Sequence, residues 1–152
     1  MSAFPDLHIV TSVVETAECL LDQRHLDATQ LAEMLSNAEA ASRRFAAEEN
    51  VEVEWDRIWQ IEPILFDDAL IELADESIRE VAGVSHRLPS GPLHDAAEVS
   101  RAGVPTVMLF VQSLRGLSHT NLEDTKVEHL ELAVRALDRL AAKTVERVTA
   151  AG

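Results

Sequence analysis

Few of the six histidines, 27 carboxylates and single cysteine of this 152-residue chain stand where their spacing suggests chemistry. His119 lies in "SLRGLSHTNLEDT", Ser113 to Thr125, a polar bend between an apolar run and a helical pattern. A neutral imidazole at the end of a rigid strand is a good zinc ligand. A loop histidine is also commonly solvated or bonded to backbone, and no second histidine or cysteine stands near His119 at ligand spacing.

A second group is "SGPLHD", Ser90 to Asp95. His94 and Asp95 can form a pair that fixes a tautomer, or Asp95 can cap a helix beginning at Ala96. A third is Arg24-His25, where a guanidinium fork can hold a carboxylate or simply join a surface ion pair. His8, His86 and His129 carry no motif and read as surface or boundary residues. Cys19, in the apolar "AECLLD", reads as a core thiol.

The elements that must position these groups follow from periodicity. Ile9 to Gln23 is rich in β-branched and apolar residues and reads as a bent strand or hairpin. From Asp27, which can cap with Gln30, Leu31, Met34, Leu35 and Ala38 recur on one helical face to about Glu48. "VEVEWDRIW" alternates like a strand with one wet face. After Pro63, Asp67 can cap a helix to about Val81, with Phe66 stapled on Ile71 and Gly83 as its stop. A short strand, the Ser-Gly-Pro loop and a short helix ended by Gly103 come next. "VPTVMLFVQS" reads as a strand buried on both faces. Thr125 and Glu128 form a T-x-x-E capping box for a closing helix expected to bury Leu130, Val134, Leu137 and Ala141. The fold class expected is α/β, with functional loops beyond the carboxyl ends of the strands.

The charge of −14 repels phosphate backbones, and the 13 Lys and Arg are scattered, which argues against nucleic-acid binding. No apolar run approaches the roughly 20 residues that cross a membrane. The opening "MSAFPDLHIV" lacks a secretory pattern, so a cytoplasmic protein is expected.

Three stretches carry a resemblance: "LLDQRHLDA", "LPSGPLHDA" and "PTVMLFVQSLRGLSHTNLEDT". From about Val10 to Leu140 they resemble, in order and spacing, the C-terminal part of the N-carbamoyl-L-amino-acid hydrolases and allantoate amidohydrolases. These belong to the aminoacylase-like superfamily of two-metal hydrolases. The resemblance implies a partial lid (α/β sandwich) segment over 1–62 and the C-terminal segment of an α/β catalytic domain over 63–152.

It places His119 on a metal-ligand histidine and Glu123 on the glutamate that follows it. Ser118 and Glu123 are then expected to orient the loop, with Glu123 accepting from the other ring nitrogen. Arg24 falls on the arginine that grips the substrate carboxylate, and Gly91, His94 and Asp95 on the loop beside the substrate. The chain departs from the pattern where Pro92-Leu93 replaces Ala-Gly. It departs again where "TSVVE" replaces N-V-x-P-G, which puts Thr11 at a substrate-binding asparagine.

The family's first ligand histidine, bridging aspartate, Glu-Glu pair and next ligand histidine have no counterpart here. The resemblance therefore implies the small subunit of a split amidohydrolase. It would act on a carbamoyl, ureido, formyl or amide bond of a small carboxylate-bearing substrate, with zinc or manganese shared with a separate chain carrying the other metal ligands. The competing expectation is a non-catalytic binding or dimerisation module on the same scaffold.

Overall fold

Helices dominate the computed structural model, which describes residues 14–151. They are α1 (Ala28–Glu49), α2 (Asp68–Ala82), α3 (Asp95–Arg101) and α4 (Val127–Ala151), with one 3-10 turn at Leu114–Gly116. The residues before Val14, Thr11 among them, lie outside the described range.

Helix starts follow local chemistry. Asp27 accepts the amides of Thr29 and Gln30 at 2.8 and 3.0 Å, and Asp67 accepts that of Leu70 at 2.8 Å. Each satisfies amides that a first helical turn leaves without partners. Gly83 ends α2 at φ 79°, a left-handed conformation that glycine adopts without a Cβ penalty. Two expected caps do not form. The first turn of α4 closes on the carbonyl of Lys126, which accepts from His129 and Leu130, so Thr125 stands outside the cap. Asp95 is the first residue of α3, not its cap; His94 holds that position without a side-chain bond.

The β half of the α/β expectation is not formed among the described residues. Residues 14–23, 51–59, 84–93 and 104–113 carry no ladder. The run "VPTVMLFVQS", residues 104–113, is not the strand buried on both faces that its sequence suggests: none of it is buried, and Phe110 and Val111 are 50% and 38% exposed. The physical reason is pairing: a strand's N–H and C=O groups need neighbours. No segment among the described residues supplies them. Cys19 is exposed, so the core-thiol expectation is corrected.

Among the helices, only α2 and α4 pack on each other. Ala136 and Leu140 of α4, 4% and 5% exposed, close on the face of α2 that holds the fully buried Ser77. Lys143 crosses to Glu76 and Glu80 at 3.0 and 2.7 Å. The contact face of α4 is therefore Ala133, Ala136, Leu140 and Lys143. The expected face, Leu130, Val134 and Leu137, is 47%, 67% and 56% exposed, and Ala141 is also exposed. That stripe extends through Val145 and Val148 as an apolar seam with no cover among the described residues. Helix α1 touches no other helix and is tied to residues 51–66 by Trp55, whose Nε1 donates to Ser42 Oγ at 2.7 Å.

Four alanines and Leu140 are the buried hydrophobic residues. The accessible surface is 12719 Å², against roughly 7,600 Å² for a compact monomer of 16.7 kDa. Granting residues 1–13 the whole surface of an unfolded stretch, about 2,000 Å², still leaves an excess near 3,000 Å². The fold also leaves an open cleft of about 2140 Å³ bounded by α1, residues 53–66, α2, residues 84–94 and residues 107–112. Ligand pockets hold roughly 300–1,000 Å³. The cleft is thus too large for a small-molecule pocket and matches a core that lacks part of its filling.

One polar cluster holds the cleft wall. Asp75 on α2, 4% exposed, binds Arg87 at 3.1 Å and Arg79 at 2.5 Å, and Arg87 also reaches Glu72 at 2.7 Å. This fastens the segment leading to Ser90–Asp95 onto α2. The Ser85 hydroxyl, then the Arg87 bond and the charges of Arg79 and Arg87, hold the Asp75 carboxyl below its ordinary range against the opposing effect of burial. Ser85 acts there without a bond of standard geometry, and Oδ1 is left without a partner.

Two outcomes test this packing. Leu140→Ala should cost about 2–4 kcal/mol, whereas Leu137→Ala, on the bare seam, should fall within about 0.5 kcal/mol. Urea unfolding of both variants checks the assignment of faces. Because folding lowers the Asp75 pKa, its contribution is full above the ordinary aspartate range and is lost as pH falls through the lowered value. The stability gap between wild type and Asp75→Asn should therefore shrink below about pH 4, as read by denaturation at a series of pH values.

Candidate functional site

Residues 17–28 run along the cleft ahead of α1, and Arg24 extends from them toward the Ser90–His94 loop. The i, i+2 spacing of Asp22 and Arg24 suits a side-by-side contact. The Asp22 carboxylate takes the Nε edge of the guanidinium, with Nε–Oδ1 and Nε–Oδ2 at 3.0 and 3.1 Å and a closer contact from Nη2 to Oδ2. That hydrogen bond raises the Arg24 pKa and lowers that of Asp22. Both side chains are more than half exposed. Arg24 remains charged, and its Nη1 makes no bond among the described residues.

Nη1 faces the loop. A Cβ added at Gly91 would stand 3.4 Å from it, at the edge of ordinary contact. The loop is closed on itself, with Ser90 Oγ donating to the Pro92 carbonyl at 2.8 Å. Arg24, Gly91 and His94 therefore line one cleft, although 67 residues separate Arg24 from Gly91 in the chain. Asp95 does not line it, and no bond joins His94 to Asp95. The paired reading is thus not formed, and Asp95 instead places its charge in the first turn of α3, where the helix dipole favours it.

His119 belongs to a separate structure. It adopts φ 58°, as does Arg115 at φ 61°, both unusual for side-chain-bearing residues. The bend holds them there through its own bonds. Leu114 N–H donates to the Asp124 carbonyl at 2.8 Å, and Arg115 Nη2 to the Leu122 carbonyl at 3.2 Å. The expected orienters are both present, in different roles. Glu123 Oε2 accepts the His119 backbone N–H at 2.9 Å, so the carboxylate fixes the backbone and not the ring. Ser118 Oγ meets Nδ1 at 2.6 Å.

The ring's capacity depends on that serine. If Nδ1–H donates to Oγ, Nε2 carries a lone pair and can bind a cation; if Oγ–H donates to Nδ1, Nε2 is protonated and cannot. His119, Ser118 and Glu123 do not line the cleft.

A dinuclear hydrolytic centre needs several carboxylate and imidazole donors around its ions. Among the described residues no three of His, Cys, Asp or Glu stand close enough to share an ion. The donor set of the described residues does not by itself fit such a centre. No helix among the described residues is long and apolar enough to cross a membrane.

Sequence reasoning passed over Asp22 and Asp75. The first was visible as D-x-R, since alternate residues of an extended chain share a side. The second had no local signal, because its arginine Arg87 comes from another segment.

The family model for peptidase family M20/M25/M40 matches residues 3–143. Allantoate amidohydrolase of Bacillus subtilis (strain 168) is 32% identical over 123 residues, 81% of this chain and 30% of that protein. N-carbamoyl-L-amino acid amidohydrolase of Geobacillus stearothermophilus is 25% identical over 128 residues, 84% of this chain and 31% of its own length. Allantoate amidohydrolase of Escherichia coli (strain K12) is 30% identical over 118 residues, 77% of this chain and 28% of the relative. No solved structure matches the chain. It spans about 30% of the length of the curated relatives it matches. With the family match running through the Arg24 segment, the Ser90–Asp95 loop and the His119 bend alike, the chain belongs to peptidase family M20/M25/M40.

Proposed function

We propose that this chain is the substrate-gripping portion of a metal-dependent amidohydrolase that cleaves a C–N bond of an amino-acid-like substrate. The observation that carries the reading is Arg24, a charged fork with one edge unbonded, set against the Gly91 loop across 67 residues of sequence. A cationic fork with an open edge takes a small carboxylate. The relatives' names, allantoate amidohydrolase and N-carbamoyl-L-amino acid amidohydrolase, point to a carbamoyl or ureido group at the scissile end.

In this reading the other metal ligands and the general base belong to a partner chain, which also covers the cleft and the bare α4 seam. The divalent ion, zinc or manganese, would polarise the scissile carbonyl when bound. The residues of this chain bind and orient. Arg24 fixes the carboxylate, Gly91 and His94 border it, and His119 offers Nε2 as one ligand in the tautomer whose Nδ1–H donates to Ser118. Thr11 joins the substrate contacts on sequence grounds alone. A non-catalytic docking module is the second reading, favoured by a cleft larger than a ligand pocket and by the uncovered seam.

Purification from the native host, with metal analysis and hydrolysis assays on carbamoyl amino acids, separates the two. A metal-loaded, active heteromer is expected, and an inert heteromer or a well-packed monomer sinks the enzyme reading. In the active complex, His119→Ala should lower the metal content and remove nearly all turnover while leaving assembly intact. Arg24→Lys should raise KM about tenfold or more with little change in kcat, because an ammonium cannot replace a planar fork in a charge-assisted pair. Unchanged KM in that variant would reject the carboxylate grip.

A further inference from the structure

We infer that Asp22 is a positioning residue for the carboxylate grip: by holding the Nε edge of Arg24 it turns the Nη1 edge toward Gly91, where the substrate's carboxylate binds. The inference rests on the proposed role of Arg24 and adds a residue that role does not require.

A guanidinium has two edges that can grip a carboxylate in bidentate fashion, Nε with Nη2 and Nη1 with Nη2. On a flexible, half-exposed side chain both edges are equally available, and a ligand must select one at the cost of ordering it. Asp22 removes that choice. Its two oxygens occupy Nε and Nη2, and the edge that remains is the one standing 3.4 Å from the Cβ position of Gly91.

The loop then completes the direction. Gly91 has no side chain to press on Nη1, and the loop's Ser90–Pro92 bond keeps the backbone at that distance. The pairing also has an electrostatic cost. A neighbouring carboxylate offsets part of the guanidinium charge, so a pure placeholder in the fork would weaken substrate binding. A positioner would strengthen it. The two roles predict opposite signs when Asp22 is removed.

Saturation-transfer NMR on the full chain with N-carbamoylglycine, and with its carboxamide as the uncharged control, reads that sign at millimolar affinity. Asp22→Ala is expected to weaken N-carbamoylglycine binding by up to about five-fold, the scale of an exposed ion pair. Asp22→Asn, which keeps an acceptor for Nε, should recover part of the loss, and the carboxamide should be indifferent to both Asp22 variants. Gly91→Val, placing bulk against Nη1, should weaken the carboxylate ligand more than the carboxamide. If Asp22→Ala binds N-carbamoylglycine as well as or better than the unaltered chain while Arg24→Ala loses it, Asp22 is a competitor and the inference is overturned with the grip intact. If Arg24→Ala changes nothing, or the unaltered chain gives no response to the carboxylate, the reading of Arg24 itself fails. In the active complex the same Asp22→Ala change should raise KM and leave kcat in place; a fall in kcat alone would also reject a positioning role.

Discussion

Peptide groups taken out of water must find partners, and this requirement governs the chain more than any single contact. Residues 107–112, Val-Met-Leu-Phe-Val-Gln, are too apolar to favour water yet make no backbone hydrogen bond among the described residues. A neighbouring strand would satisfy both needs at once. Without one, the segment lines the cleft half-covered, and the stretches around it are left with no sheet to join. The helices escape this limit because their hydrogen bonds are internal. They form at almost the expected residues, while the elements that need a neighbour do not.

The same distinction organises the candidate site. Groups held by local bonds are already in place. The His119 bend is laced by Leu114–Asp124 and Arg115–Leu122 bonds and by Glu123 on the His119 amide, which together hold two residues at positive φ. Arg24 is held by a residue two positions away. What these local devices cannot do is bring the two clusters onto one substrate. Arg24, Gly91 and His94 share a cleft, and His119 lies outside it.

Helix starts at Asp27 and Asp67 and the stop at Gly83 were legible in the sequence because caps are decided by a few neighbouring atoms. The nearness of Arg24 to the Gly91 loop was legible only through family resemblance, since no local rule links residues so far apart. Errors fell where tertiary surroundings decide. The α4 stripe of Leu130, Val134 and Leu137 has the periodicity of a buried face, and period identifies an apolar face without saying which partner covers it. Helix α2 took the smaller-residue face instead, where Ala136 allows close approach and Lys143 reaches Glu76 and Glu80. Thr125 and Glu128 matched a capping box, yet the helix began one residue later than the match required.

Magnitudes indicate what completes the molecule. A stable protein interface commonly buries about 800 Å² on each partner. The chain carries near 3,000 Å² beyond the surface of a compact monomer, and its cleft and its seam do not share residues. That excess is several times the area one ordinary docked face covers. Asp75 adds a polar requirement to the apolar one: its Oδ1 is buried without a partner even though two arginines hold Oδ2. The cleft wall is therefore polar at Asp75 and apolar at residues 107–112, and a group entering it meets both, which makes a match there chemically specific and not merely hydrophobic.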